Sequence, residues 1–394
     1  MSIATKAERN SLLVMALAGF ASMVSMRMCD PMLVVLGQEF QVSTGDASRV
    51  VSAFAVAYGV LQLFYGPLGD RFGKLRVISL AALACAIFSA ITSMAPSLTL
   101  LVVMRAFMGA AAAGIIPLTL AWIGDQVAYD RRQETLARLM GATVSGMMVG
   151  LWFGGFAAEN LGWRTAFVVV SVLFAAAAFM LLRKLRSLPA SKAAPVANGF
   201  LGAFANTFQL FGNQRVRQVL AATAVEGALV FGAMAFIPTH LHQQFDMSVV
   251  FAGAVMMLYG VGGLLYSQLA RRWLGWLGGE RGLVRTGASL IALGLLTLAW
   301  TQQQALGMLG CFMTGFGFYM MHNTLQTQAT QMAPHARGTA VTLFACMLFF
   351  GQSAGVLVAA QTVDHGGLDW AYTASALGMV VLGRVVARHV NAKA

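Results

Sequence analysis

Charged residues inside apolar stretches are the first candidates for chemistry in this sequence, because a charge at the centre of a membrane helix costs at least about 2.5–3.5 kcal/mol. A carboxylate or an imidazole in such a place can bind and release protons, and a guanidinium group can hold an anion. The residues of this kind are Arg27, Asp30, Arg105 and Glu226, with His322 and Asn323 as further polar groups. We expect them to form a proton-binding or ligand-binding site.

The spacing of these residues leaves two interpretations open. Arg27 and Asp30 are three residues apart and share one helix face, so they either form an ion pair or leave Asp30 to bind a proton. Glu226 has no charged neighbour within a helical turn and is the better candidate for a carboxylate protonated near neutral pH. His322 titrates in the same range when unperturbed, but a hydrogen bond alone also explains a histidine in a span.

The composition indicates a membrane protein. Of 394 residues, 58% are hydrophobic and 10% are charged, whereas soluble domains carry about 25% charged residues. Residues 77–104 and 286–336 contain no Asp, Glu, Lys or Arg, and a spanning helix needs about 20 apolar residues. Long continuous apolar runs exclude an outer-membrane barrel, which would show short alternating strands. The fold class we predict is an all-α membrane protein.

Apolar windows and their breakers predict twelve transmembrane helices, called spans 1 to 12 in chain order. The predicted ranges are 11–36, 49–69, 77–95, 97–123, 138–160, 164–183, 217–239, 248–270, 283–301, 304–330, 337–360 and 369–387. The longest interruption predicts a cytoplasmic linker over 189–216, with an amphipathic piece near 200–211. The linker divides an N-terminal six-helix bundle, 1–188, from a C-terminal one, 217–394.

Positive charges set the expected orientation. Of the 26 Lys and Arg residues, Arg27 and Arg105 lie within spans, Arg49 and Arg164 lie on one side, and the others lie on the opposite side. The basic side of a membrane protein faces the cytoplasm, so we expect both termini to be cytoplasmic in a multi-pass protein of the bacterial inner membrane. The net charge of +12 therefore reflects topology and does not call for a nucleic-acid partner.

Metal, cofactor and enzyme chemistry have little support in the sequence. The four cysteines fall inside apolar segments and show no CxxC or His/Cys ligand spacing. No phosphate-binding loop and no nucleophile with a neighbouring base is visible. We expect no cofactor, no metal and no enzymatic activity.

The two halves of the sequence repeat each other. Tyr58-Gly59 matches Tyr259-Gly260 at an offset of 201, and Gly109 matches Gly315 at 206. At an offset of 205, the pair Gly146 and Gly150 falls on Gly351 and Gly355. Halves with an even number of spans keep the same orientation, so the repeat predicts two bundles related by a pseudo-twofold axis along the membrane normal.

The loop between spans 2 and 3, residues 66–76 (GPLGDRFGKLR), closely resembles the signature loop of the major facilitator superfamily, although Leu75 stands where the family usually has a basic residue. The resemblance implies that Asp70 pairs with the start of span 11 and closes a cytoplasmic gate. A solvated charged loop is the alternative. The gating residues that it implies are Gly66, Gly69, Asp70, Arg71, Gly73, Asp125 and Arg131.

Three further matches resemble the twelve-span drug/proton antiporter branch: Arg105 four residues before Gly109, the glycine-rich segment 146–155, and Gly162-Trp163-Arg164. Leu151 replaces the proline of the branch, so the kink expected in span 5 is in question, and with it the antiport direction. The glycines of span 5 are equally explained as helix-packing residues. These are Gly146, Gly150, Gly154 and Gly155.

The resemblance implies that spans 1, 4, 7 and 10 line a central cavity. It implies proton coupling through Asp30, Glu226 and Arg105, and substrate binding by Arg27, Asp30, Tyr58, Gln62, Arg105, Glu226, His322 and Asn323. The predicted function is proton-coupled efflux of small organic or amphipathic compounds, by alternating access, in a monomer that acts as a drug-resistance antiporter. An organic-anion uptake or exchange carrier and a non-transporting membrane sensor are the alternatives.

Overall fold

The structure, a computed structural model, describes residues 6–187 and 209–390, and the regular elements in these ranges are all helices. Eight spans are single helices: Lys74–Ser93 (span 3), Tyr129–Asn160 (5), Trp163–Ser187 (6), Val249–Trp276 (8), Glu280–Trp300 (9), Gln304–Gln331 (10), Arg337–Gly366 (11) and Leu368–His389 (12). Four are divided: Lys6–Arg27 and Leu33–Phe40 (1), Thr44–Ala47 and Arg49–Phe72 (2), Leu98–Ala112 and Ile115–Gln126 (4), and Gln214–Met234 and Ile237–Phe245 (7).

The twelve predicted spans are confirmed. Eleven are long and apolar enough to cross a membrane by themselves. Span 10 has the length but contains many glycine, threonine and glutamine residues, so its hydropathy is lower. The described residues begin and end on one side of the bundle, which we call the terminal side, and the opposite side is the distal side. Spans 5 and 7 extend beyond their predicted ranges, starting at Tyr129 and ending at Phe245, respectively.

Proline explains the breaks in spans 1, 4 and 7. Pro31, Pro117 and Pro238 each lie one to five residues after the end of the preceding helix. Proline has no N–H to donate and disfavours helical geometry in the residue before it, so the helix stops and restarts. Span 10 contains no proline and is continuous. The prediction of each span as one segment missed these breaks.

The packing of the spans repeats in the two halves. Span 1 packs on span 5, span 2 on span 4 and span 3 on span 6, and the equivalent pairs 7 with 11, 8 with 10 and 9 with 12 do the same. Two pairs join the halves: span 2 with span 11, and span 5 with span 8. A pseudo-twofold axis exchanges these two pairs. The division into two six-helix bundles is therefore confirmed as part of the fold.

Glycines allow the closest helix contacts within each half. A Cβ atom at Gly150 would meet the backbone of Val24 in span 1, and one at Gly355 would meet the backbone of Ala228 in span 7. A Cβ atom at Gly146 would likewise meet the backbone of Phe20, and one at Gly154 would meet that of Met28. Gly155 makes the same kind of contact between the halves, with Val249 of span 8. These contacts require the absence of a side chain.

Span 5 is one uninterrupted helix across Leu151, in keeping with the missing proline. The exact domain boundaries at 188 and 217 stay a prediction. Residues 188–208, which contain most of the predicted linker and of the amphipathic piece near 200–211, lie outside the described residues.

Candidate functional site

The break in span 1 positions the first buried ion pair. Arg27 ends the helix Lys6–Arg27, and Asp30 begins the short 3₁₀ turn that precedes Leu33–Phe40. Arg27 Nη1 lies 3.4 Å from Asp30 Oδ2, with the two side chains 3% and 0% exposed. The Arg27 guanidinium also lies 4.5 Å from the ring centroid of Phe231 in span 7. Arg27 therefore contacts both halves of the protein, and the predicted ion pair with Asp30 is present.

Arg105 holds backbone atoms rather than a carboxylate. Its Nε donates to the Val50 carbonyl at 3.1 Å, and its Nη1 donates to the Ser25 carbonyl at 2.9 Å. Its guanidinium lies 4.2 Å from the ring centroid of Phe54, and the residue is fully buried. Ser25 lies in the last turn before the break of span 1, where carbonyls lose their helical partners. These contacts tie spans 1, 2 and 4 together beside Asp30.

Glu226 and His322 form a second buried pair, between spans 7 and 10. Glu226 Oε2 lies 2.8 Å from His322 Nδ1, and the two side chains are 0% and 14% exposed. The imidazole stacks on Phe318 at 4.8 Å between centroids and contacts Phe344 at 5.2 Å. The sequence analysis placed no partner beside Glu226, because the two residues are 96 positions apart.

Several buried polar atoms around these pairs have no hydrogen-bond partner among the described residues. They include Arg27 Nε, Asp30 Oδ1, Arg105 Nη2, Glu226 Oε1 and Tyr259 Oη. The ring centroid of Tyr259 in span 8 lies 5.8 Å from that of Phe318 and 6.2 Å from that of Tyr319. Native structures rarely leave such groups unpaired. A cluster of unpaired donors and acceptors near the middle of the spans is suited to a ligand that has hydrogen-bonding groups of its own.

The other predicted binding residues are Tyr58, Gln62 and Asn323, and their roles in binding stay predictions. Tyr58 packs on Phe349 of span 11 at 4.6 Å between ring centroids, which is a contact between the halves. Gln62 is 7% exposed and its Oε1 has no partner among the described residues. Asn323 follows His322 and is half-buried. Sequence reasoning did not assign Tyr259 to the site, although Tyr259 is the repeat equivalent of Tyr58.

The signature loop forms a charge network on the terminal side. Lys74 Nζ lies 3.6 Å from Asp70 Oδ1 and also pairs with Asp125 of span 4. Asp70 is 65% exposed, and the partner that the structure gives it is Lys74 rather than the start of span 11. The guanidinium of Arg71 lies 5.2 Å from the Phe72 ring centroid. The expected pairing of Asp70 with span 11 is thus replaced by a pairing within the N-terminal half.

The remaining residues of the predicted gate are the glycines of the loop and Arg131 of span 5. Gly73 has a φ of +89°, a conformation that glycine adopts without strain. A Cβ at Gly69 would collide with Leu118 of span 4, whereas Gly66 faces open space. The Arg131 carbonyl accepts a hydrogen bond of 2.9 Å from Thr135 Oγ1. The roles of these residues in gating stay predictions.

Two carboxylates join the halves on the distal side. Asp364, at the end of span 11, accepts from Gly45 N at 3.2 Å and from Ser43 Oγ at 2.7 Å, at the start of span 2. Glu159, at the end of span 5, accepts from Val250 N at 2.8 Å, at the start of span 8. We call these contacts the distal latches. In each, a carboxylate satisfies an unpaired N–H in the first turn of a helix from the other half.

The distal latches are related by the internal repeat. Glu159 and Asp364 are 205 residues apart, and so are Gly45 and Val250. The N-cap serines of the two helices, Ser43 and Ser248, follow the same offset and accept from the N–H three residues later. Sequence reasoning missed the latches, although this common offset was the signal for them.

Among the described residues, no group of His, Cys, Asp and Glu side chains is placed to hold a metal ion. The four cysteines are buried and free.

Comparison with known proteins fits this architecture. The sequence profile described as Major Facilitator Superfamily matches residues 15–356. The chain belongs to the Major Facilitator Superfamily. A Bacillus subtilis relative named "Uncharacterized MFS-type transporter YceJ" is 26% identical over 353 residues, with 87% of each chain covered. A Haemophilus influenzae relative named "Probable sugar efflux transporter" is 24% identical over 388 residues, covering 96% of this chain and 95% of the relative.

Solved structures of the superfamily share the fold. A variant of the nucleoside transporter NupG gives a TM-score of 0.80 at 15% identity, covering 97% of this chain and 99% of NupG. The human organic anion transporter MFSD10 gives 0.71 at 19% identity, covering 96% of this chain and 99% of MFSD10. The family and these relatives are membrane transporters rather than enzymes, which confirms that expectation.

The distal latches predict a measurable effect of Asp364→Asn. A carboxylate at a helix N-terminus contributes about 1 kcal/mol, so its loss raises the fraction of molecules with an open distal side roughly fivefold. A cysteine at Ser353, which is buried and donates to the Ser52 carbonyl at 3.1 Å across the halves, reports this opening. We expect a maleimide to label Ser353→Cys faster in the Asp364→Asn background.

Asp369→Asn is the matched control, since Asp369 also lies at the distal end of the C-terminal half but makes no latch. Equal labelling rates in the two backgrounds would show that the latch does not hold the distal side closed.

Proposed function

We propose that this transporter exports small organic compounds in exchange for protons, by alternating access of a central site to the two sides of the membrane. The observation that carries the proposal is the fully buried Glu226, which is paired with His322 between spans 7 and 10. A buried carboxylate with an imidazole partner is suited to take up and release a proton.

The proton is proposed to change the hydrogen bonding of the site. As a carboxylate, Glu226 accepts the hydrogen bond from His322 Nδ1–H, and its Oε1 is free to accept from a ligand. When protonated, Glu226 gains an O–H donor and loses its charge. A ligand that needs the carboxylate then binds less well, so proton and substrate compete. Asp30 is the second carboxylate in this scheme, and Arg105 positions Asp30 by holding spans 1, 2 and 4.

The proposed substrate is a small organic molecule that has both hydrogen-bonding groups and an apolar surface. The unpaired atoms of Arg27, Asp30, Glu226 and Tyr259 offer donors and acceptors. Phe231 and Phe318, whose ring centroids lie 5.1 Å apart, offer an aromatic surface beside them. The name of the Haemophilus relative, "Probable sugar efflux transporter", supports the outward direction.

The conformation is proposed to be inward-open. The distal latches join the halves on one side, whereas Asp70 on the other side is 65% exposed. The excess of positive charges on the terminal side supports a cytoplasmic location for that side. In the opposite state, Asp70 would be free to leave Lys74 and meet the N-terminus of span 11, which favours a carboxylate.

Uptake or exchange of an organic anion is the second candidate. Span 5 is one uninterrupted helix and lacks the proline of the antiporter branch, which favours this candidate. Arg27 is a buried cation that could hold an anion. Arg105 supports it in part, because backbone carbonyls engage its Nε and Nη1, while its Nη2 has no partner among the described residues. A thermal-shift screen of neutral sugars, amphipathic cations and organic anions distinguishes the candidates and supplies a substrate for transport assays.

In proteoliposomes, Glu226→Gln is expected to abolish the pH change driven by the substrate that the screen identifies, because the glutamine cannot release a proton. Exchange of labelled for unlabelled substrate needs no net proton movement and is expected to continue. Asp30→Asn is expected to weaken coupling in the same assay. Glu134→Gln, which alters an exposed carboxylate on the terminal side, serves as the control. Unaltered coupling in both site variants would remove the two carboxylates from the mechanism.

The orientation has its own test in intact cells. The native cysteines are buried, so cysteines introduced at the exposed Asn160 on the distal side and Glu134 on the terminal side dominate labelling. A membrane-impermeant maleimide is expected to label Asn160→Cys in intact cells, and Glu134→Cys only after lysis. The reverse pattern would place the termini outside.

A further inference from the structure

The terminal ends of spans 9 and 12 line a cavity of about 420 Å³, and none of its lining residues belongs to the central site. Arg384 and Arg388 lie one helical turn apart on span 12, and Arg285 faces them from span 9. Gly383 forms part of the cavity wall, and a Cβ there would collide with the side chain of Ala288. The two helices are therefore in close contact where the arginines converge.

The positive charge of this cavity is not balanced by the protein. Among the described residues, no carboxylate forms an ion pair with Arg285, Arg384 or Arg388. Glu280, the acidic residue at the start of span 9, accepts instead from Gln328 at 2.6 Å. Three exposed arginines that converge at the end of a membrane helix pair are suited to bind an external anion.

An apolar surface continues from the cavity toward the membrane centre. Leu377 and Val381 of span 12 are 61% and 59% exposed, and Leu293 of span 9 is 53% exposed. Exposed aliphatic side chains in a transmembrane helix face lipid chains. A ligand that uses both features has an anionic head and an apolar tail.

We propose that this cavity binds the phosphate headgroup of an anionic phospholipid, whose acyl chains lie along Leu377, Val381 and Leu293. None of its lining residues belongs to the central site, so it is a site separate from the one proposed for the transported compound. Basic pockets between membrane helices recognise lipid headgroups by this combination of charge and depth. Free phosphate would share the arginines but not the apolar surface.

Native mass spectrometry of the full-length protein, released from neutral detergent, tests the proposal. Phosphatidylglycerol and phosphatidylcholine with the same acyl chains are added in parallel. We expect retention of phosphatidylglycerol and weaker retention of phosphatidylcholine. In Arg384→Gln/Arg388→Gln, the affinity for phosphatidylglycerol is expected to fall about thirty-fold, since each basic residue near an anionic lipid contributes roughly fivefold.

The matched control is Arg183→Gln/Arg186→Gln, which removes two arginines at the terminal end of span 6, the repeat equivalent of span 12. It is expected to bind phosphatidylglycerol like the unaltered protein. Arg285→Gln, on the other wall, is expected to lower the affinity about fivefold and provides a test if the double variant fails to fold.

Equal binding of the two lipids would overturn the proposal, as would equal losses in the two double variants. Displacement of phosphatidylglycerol by inorganic phosphate or glycerol phosphate at the same concentration would also contradict it, because the site would then recognise a free anion.

Discussion

Arg27 has partners in both halves of the protein, and this shared contact constrains the centre of the structure. Its guanidinium pairs with Asp30 in its own span and lies 4.5 Å from the Phe231 ring of span 7. In a membrane interior, a charge cannot exchange a lost partner for water at low cost. In the proposed alternating access, the ion pair with Asp30 moves with span 1, while the contact with Phe231 of span 7 changes. The site is therefore sensitive to the relative position of the halves.

The contacts that join the halves differ in strength according to their place. Glycines bring helices into backbone contact within each half, and Gly155 of span 5 also meets the backbone of Val249 in span 8 of the other half. The distal latches are exposed carboxylate contacts, and each is worth only about 1 kcal/mol. In the alternating access proposed above, opening of the distal side breaks these latches without the loss of a buried charge pair.

Much of the fold was predictable because hydropathy and the internal repeat are properties of the sequence itself. The twelve spans, the two bundles and the glycine contacts at Gly146, Gly150 and Gly154 follow from them. The breaks in spans 1, 4 and 7 were missed because an apolar window averages over a proline. Pro31, Pro117 and Pro238 were the local signals for these breaks.

The site was predictable as a set of residues but not as a set of pairs. The partner of Glu226 is 96 residues away on span 10, and sequence spacing within one helix does not show which spans face each other. Asp70 was assigned to span 11 by resemblance, whereas the structure pairs it with Lys74, four residues along the same loop. The distal latches were hidden in a repeat offset that connects single residues rather than a motif.

The proposed mechanism requires that protonation of Glu226 change the position of the two halves relative to each other. Spin labels at Asn160 and Gln302 measure the distal separation, and labels at Glu134 and Arg272 measure the terminal one, all at exposed positions. Distances measured by double electron–electron resonance are predicted to change between acidic and alkaline pH. When the distance on one side increases, the distance on the other side is predicted to decrease. The change is predicted to vanish in Glu226→Gln and to persist in the exposed control Asp246→Asn. Distances that respond to pH equally with and without Glu226 would contradict the claim.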